Sequence, residues 1–279
     1  MSDYKIGKPI VTLKDVSKSF GNKLILRDVG TEKIPFVIYD INRADLSQGQ
    51  TIAIVGESGS GKSTLFKLLA GIYPATKGSI EILDWEDNSK YQTVRGGDVG
   101  FVQQTYPLSR NQNVYEMLTD AAIQGNVPKN DRKSIIESYL EKWNLINQKF
   151  LAKNQLSGGQ KQRVAIIEQL LCSHYLVIFD EPFSGLDVRN IEDVKNSFRK
   201  ISSTSEINTI VFSAHDINLA VELADVVYVI GYERGRDGLI LPGGTIVKKF
   251  DLMEMGLAWK ELTAGHLEVA SEIKNIIKT

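Results

Sequence analysis

The sequence predicts an α/β protein, and three observations carry that reading. The apolar runs Thr51-Ile52-Ala53-Ile54-Val55 and Tyr175-Leu176-Val177-Ile178-Phe179 show almost no polar alternation, as strands covered on both faces of a parallel sheet do. Helical patterns separate the later strand-like runs, and strand–helix–strand order builds such a sheet. Residues 105–155 hold no convincing strand and read as helices over 113–124 and 130–145, with Asn126-Val127-Pro128 between them.

The elements follow in order. Val11-Thr12-Leu13 and Phe36-Val37-Ile38-Tyr39 are β-type runs in a stretch, up to residue 50, of antiparallel character. After the run at 51–55, Leu65, Leu68, Leu69 and Ile72 share a helical face, with Gly71 near its stop. Ser79 to Leu83 and Val99 to Val102 return to β character, and the helical insert follows. Beyond the run at 175–179, Ile191, Val194, Phe198 and Ile201 keep the helical period; Thr209 to Phe212 and Val226 to Ile230 are strands. After residue 250 a helix places Leu267, Ala270, Ile273 and Ile277 on one face. The expected division is a discontinuous core of residues 1–104 and 156–250, an inserted helical subdomain at 105–155, and a helical tail at 251–279.

Composition excludes several classes. The 279 residues carry 33 basic against 34 acidic side chains and are 42% hydrophobic, too apolar and too neutral for a disordered chain. No run approaches the roughly 18 apolar residues of a membrane helix. The first residues lack a signal-peptide pattern. A lone cysteine, Cys172, cannot form an internal disulfide and reads as a small buried hydrophobe. These features describe a cytosolic protein, and the charge balance gives no reason to expect nucleic acid.

Chemistry is carried first by Gly56-Glu57-Ser58-Gly59-Ser60-Gly61-Lys62-Ser63-Thr64, which follows a buried-strand pattern and opens a helix. Glycines let the backbone curl so that successive N–H groups point inward, and the helix start adds partial positive charge. Lys62 then reaches the β- and γ-phosphates, and the Ser63 hydroxyl ligates Mg²⁺. The second feature is Leu156-Ser157-Gly158-Gly159-Gln160. Ser157 is a good N-cap, and the glycines bare N–H groups at a second helix start. Two such anion sites serve either one nucleotide or the two ends of a nucleotide shared between chains.

With that string the sequence resembles the ABC-type ATPases, specifically the nucleotide-binding subunit of an ABC transporter, over residues 10–250. The family's other motifs occur in order. Leu176-Val177-Ile178-Phe179-Asp180-Glu181 is similar to its Walker B pattern, Ser184-Gly185-Leu186-Asp187 to its D-loop, and His215 in Phe212-Ser213-Ala214-His215-Asp216 to its switch histidine. The family's spacing, a glutamine after four strand-like residues, selects Gln104 over its neighbour Gln103, and Phe20 matches the adenine-stacking aromatic. Three departures stand out: surplus residues near Glu32 to Ala44, Ile167-Glu168-Gln169 where the family usually carries an Ala-Arg-Ala-like run, and an extended loop over Glu233-Arg234-Gly235-Arg236-Asp237-Gly238.

The resemblance implies a RecA-like P-loop ATPase core with an N-terminal antiparallel β subdomain and an inserted helical subdomain. It implies ATP and Mg²⁺ as ligands, with Ser63, Gln104 and Asp180 at the metal. Glu181 polarises the attacking water, and Lys62, Gln104 and His215 complete the catalytic set. Phe20, residues Gly56 to Thr64, Ser157 to Gln160 and Asp187 contact nucleotide or the facing subunit. The implied partners are a second ATPase subunit in an ATP-dependent homodimer, membrane-spanning permease subunits and, for an importer, a substrate-binding protein. The implied location is peripheral, on the cytoplasmic face of the membrane. Two other roles stay open: regulating or scaffolding a membrane complex without transport, and acting on nucleic acid or ribosomes. Just after Gln104, Tyr106 and Leu108 are expected either to pack the helical subdomain or to line a groove for a short helix of the membrane partner.

Overall fold

A computed structural model describes residues 4–43, 47–84, 86–103, 108–109, 111–172, 176–183, 192, 195–196, 198, 201, 209–258 and 260–278. Two sheets organise them. The first is antiparallel and built from β1 (Tyr4–Phe20), β2 (Lys23–Val29), β3 (Phe36–Arg43), β4 (Ser47–Gly49), β6 (Lys77–Leu83) and β7 (Tyr91–Thr93), in the order β4-β3-β1-β6-β7 with β2 also on β1. The second contains β5 (Thr51–Val55), β8 (Gly100–Val102), β9 (Leu176–Phe179), β10 (Thr209–Ser213), β11 (Val226–Gly231) and β12 (Thr245–Asp251), in the order β12-β11-β5-β10-β9-β8. Every pair in it is parallel except β11–β12.

The α/β reading and the N-terminal antiparallel layer are therefore present, with one correction. That layer does not end at residue 50. β6 pairs with Val11 to Ser17 of β1, and β7 pairs with β6, so the chain returns to the first sheet after visiting the second. The run at 51–55, read as a strand covered on both faces, is buried at every residue, as are the described residues 176–179.

The helices whose bounds lie within the described residues are α1 (Lys62–Leu69), α2 (Val114–Gln124), α3 (Arg132–Lys142), α4 (Gly158–Cys172), α5 (Ile217–Leu223) and α6 (Ala264–Lys278). Asn113 starts α2: its side chain accepts from Glu116 N–H while the Glu116 carboxylate takes Asn113 N–H, satisfying two orphan donors. Val114, Met117, Leu118 and Ala121 of α2, Ile136 and Leu140 of α3, and Trp143 are buried. Ile72 lies beyond the end of α1 and is exposed, so it does not share that helix face. Ile191 and Val194 lie outside the described residues; Phe198 and Ile201 are buried.

The tail helix corrects a second expectation. Its buried face is His266, Val269, Ala270 and Ile273, while Leu267 is 48% exposed. The helical period misled because a polar residue holds a core position. His266 Nδ1 accepts from Thr263 N–H at 3.0 Å, and Nε2 pairs with Leu257 O at 3.1 Å, so both ring nitrogens are satisfied on burial.

Helix α4 packs on α2 and on β8. Gln169 Oε1 accepts from Phe101 N–H at 2.9 Å, tying α4 to β8. Burial raises the neighbouring Glu168 carboxyl from the ordinary 4.5 to about 7, with Asp120 adding to the effect. Burial, and then Glu168, also lift the Cys172 thiol to about 11, so this half-buried cysteine is no reactive thiolate at neutral pH.

The Glu168 shift has a stability consequence. Between roughly pH 4.5 and 7 the folded chain holds a proton that the unfolded chain has lost, so stability falls as pH rises through that window. Glu168→Gln is expected to flatten the slope and to stabilise the chain at pH 8 by on the order of 2 kcal/mol. Urea midpoints at pH 5 and pH 8 check this; a variant whose two midpoints track the parent's would exclude the burial account.

Candidate nucleotide site

Strands β5, β9 and β10 lie side by side and parallel, so their C-terminal ends open on one edge of the sheet, where ligands of such sheets bind. Three segments meet there. The loop 56–61 leaves β5 and enters α1; Asp180 and Glu181 follow β9; Ser213 ends β10, with His215 two residues on.

The loop requires its glycines. At Gly56, with φ 155°, a Cβ would stand 2.2 Å from Ile230 O; at Gly61, with φ 106°, it would stand 2.6 Å from Leu26 Cδ2. No side chain caps α1, so its first N–H groups are free for an anion. Ser60 is fully buried, and its Oγ has no hydrogen-bond partner. Lys62 is 6% exposed, and its Nζ donates to Gly56 O and Glu57 O, both at 2.8 Å. Burial lowers the Lys62 pKa, while Glu181 and Asp180 push it back up. Glu57, Ser58, Gly59 and Ser63 are exposed and Thr64 is half-buried. Tyr232 braces the loop from outside, donating its hydroxyl to Gly59 O at 3.1 Å.

The two carboxylates point to different partners. Glu181 takes φ 52°, a left-handed conformation that costs a non-glycine residue of order 1 kcal/mol. Its Oε1 lies 2.8 Å from His215 Nε2. Its N–H donates to Ser213 Oγ at 2.8 Å, and the same hydroxyl donates to Asp180 Oδ1 at 3.1 Å. The Ser63 hydroxyl and the Asp180 carboxylate are hard oxygen donors of the kind Mg²⁺ takes. Among the described residues no three or more His, Cys, Asp or Glu side chains cluster as a metal cage; Mg²⁺ typically binds through one or two carboxylates plus phosphate oxygens.

The second candidate anion site opens on a reciprocal cap at the start of α4. Ser157 N–H donates to Gln160 Oε1 at 2.8 Å, and Gln160 N–H donates to Ser157 Oγ at 3.3 Å. Ser157 and Gly158 are exposed, and Gly159 and Gln160 half-buried. Phe20 ends β1, is 45% exposed, meets Tyr73 edge-on at 5.3 Å and carries Lys18 Nζ 4.9 Å from its ring. Gln104 and Asp187 lie outside the described residues, as does Tyr106; Gln103 is exposed. Leu108 is buried in the core, so its side chain packs the interior rather than lining a surface groove.

Ser213 and Tyr232 were not singled out from the sequence. Ser213 left a signal, a lone hydroxyl near the end of the apolar run before His215; Tyr232 left none.

Residues 40–184 match the sequence model of the ABC transporter family, over half of the chain. The chain belongs to that family. Among curated ABC relatives, it is 31% identical over 224 residues to the sulfate/thiosulfate import ATP-binding protein CysA of Mesostigma viride, an alignment covering 80% of this chain and 60% of the relative. It is 32% identical over 220 residues to that of Thermosynechococcus vestitus, covering 79% and 61%. The chain thus spans about 60% of the length of these relatives. The fold is that of solved ABC subunits. CbiO1 of Clostridium perfringens, part of the cbiONQ transporter complex, superposes with a TM-score of 0.69 at 22% identity, covering 97% of this chain and 99% of that one. An ATP-binding subunit of another ABC transporter gives 0.68 at 22%, covering 97% and 100%.

Proposed function

We propose that this chain is the ATP-binding and ATP-hydrolysing subunit that powers an ABC transporter. One observation carries the reading most directly. An uncapped phosphate-loop helix and the Asp180, Glu181 and His215 side chains gather at one sheet edge.

ATP binds with its phosphates in the loop of residues Gly56 to Thr64 and Lys62 against the β/γ charge. Phe20 stacks on the adenine. Ser63, Gln104 and the Asp180 side would hold Mg²⁺, which would neutralise phosphate charge when bound. Glu181 takes a proton from the attacking water, and His215 holds the Glu181 carboxylate and meets the γ-phosphate. Ser157 to Gln160 and Asp187 serve the facing subunit. Residues 1–104 and 156–250 act as the ATPase unit and 105–155 as the lever that meets permease subunits.

Two copies pair head to tail. The γ-phosphate touches both, so ATP favours the closed pair and ADP does not; that difference lets a ligand drive motion. Among the described residues no helix is long and apolar enough to cross a membrane, and the chain works peripherally on the cytoplasmic face. The sulfate/thiosulfate relatives are named for import, which favours an importer with a substrate-binding protein.

Mild-detergent extraction tests the transport role. The full chain is expected to copurify with membrane-spanning subunits, and ATP turnover is expected to rise in that complex. A chain recovered wholly without membrane proteins would remove the transport role while leaving the ATPase assignment standing.

A further inference from the structure

We propose that the Ser213 hydroxyl is a positioning group that holds the two adjacent carboxylates, Asp180 and Glu181, in separate roles. The inference rests on the roles given above to those two residues.

The geometry is a two-way bridge. One buried oxygen, on a residue with 0% exposure, accepts from Glu181 N–H at 2.8 Å and donates to Asp180 Oδ1 at 3.1 Å. Asp180 is thereby fixed at one carboxylate oxygen, which orients the other. Glu181 is fixed by its backbone, not its side chain, in the left-handed conformation at φ 52°. That turn matters. In an extended strand, adjacent side chains point to opposite faces, and Glu181 would leave the edge where Asp180 works. The left-handed step instead sends its carboxylate to His215 Nε2 at 2.8 Å.

The chemistry needs the separation. A metal-side carboxylate must present oxygen to the cation, and a general base must keep a lone pair for water. Two like charges side by side would otherwise compete for one cation. A serine hydroxyl serves both neighbours because it donates and accepts at once. Alanine or valine at 213 can do neither, and the Glu181 N–H would lose its partner.

The test uses the full chain in its transporter complex and four variants: Ser213→Ala, Ser213→Thr, Ser213→Val and Glu181→Gln. Thr and Val match in shape and differ in the hydroxyl. Three readouts are taken: phosphate release, the Mg²⁺ concentration that half-saturates binding of a non-hydrolysable ATP analogue by calorimetry, and the thermal midpoint. Ser213→Ala and Ser213→Val are expected to lower kcat by about 10- to 100-fold. They should also raise the half-saturating Mg²⁺ by about 3- to 10-fold. Ser213→Thr is expected to restore most of both. If threonine does not fold in this buried strand, Ser213→Ala decides alone. Ser213→Ala with the parent's kcat and Mg²⁺ midpoint overturns the proposal, as does Ser213→Val matching Ser213→Thr. A fall in thermal midpoint with kcat and Mg²⁺ midpoint unchanged also overturns it, because the hydroxyl would then be only structural. Glu181→Gln keeps the two failures apart: if it hydrolyses ATP normally, the catalytic reading itself has failed.

Discussion

Lys62→Ala is expected to lower ATP turnover by at least about 100-fold, since a cation or donor aimed at charge that builds in the transition state contributes on that scale. The loop is organised around this side chain. Its Nζ holds the Gly56 and Glu57 carbonyls at 2.8 Å each, so the ammonium sits where the loop's curl converges. Phosphate oxygens bring it negative charge that those carbonyls supply only in part. The substitution also relieves the desolvation of a buried ammonium whose pKa burial already lowers. Thermal stability is therefore expected to change far less than turnover. Phosphate release, ATP affinity and melting midpoint measured on one preparation separate the effects. Release equal to the parent's would mean that the loop does not bind the reacting phosphates.

Glu181→Gln should trap the chain with ATP bound. The amide keeps the size of the carboxylate and can still pair with His215 across the 2.8 Å contact, so the site's shape survives. It cannot take the proton from water, and general-base loss costs roughly 10²- to 10⁴-fold. With hydrolysis stopped, ATP should hold two copies together. Light scattering should report a dimer in ATP and a monomer in ADP. A variant that turns over normally, or that stays monomeric in ATP even with its membrane partner, would contradict the mechanism.

The loops offered as the candidate site stand out in the sequence more clearly than the sheets that carry them. Residues 56–64 and 156–160 are legible as motifs because each residue type there is one that a phosphate loop would demand: glycine for curl, lysine for charge, serine for a cap. The buried strands at 51–55 and 209–212 were legible because unbroken apolar runs have one common structural use. What failed to show were contacts made at long range. β2, β4, β7 and β12 are short or mix charge with apolar residues, as Thr245-Ile246-Val247-Lys248-Lys249-Phe250-Asp251 does, and pairing partners alone make them strands. The His266 plug under the tail helix was hidden for a related reason, since a buried polar residue is recognised only by its partners. Ser213 hydrogen-bonds residues more than thirty positions away; its lone hydroxyl in an apolar run shows in the sequence, but the partners it meets do not.

The hydrogen bond from Phe101 to Gln169 closes one amide at the rim of the parallel sheet. Among the described strands, β8 is outermost on its side of the parallel sheet. Val102 turns its carbonyl inward to Asp180 N–H at 3.1 Å, so the intervening Phe101 N–H points outward, toward the open side. Unpaired edge amides are templates on which a stray strand can dock and propagate aggregation. The Gln169 side chain occupies that position at 2.9 Å, so a side-chain amide stands where the carbonyl of a docking strand would. A strand approaching this edge would have to displace the Gln169 side chain to reach the Phe101 amide.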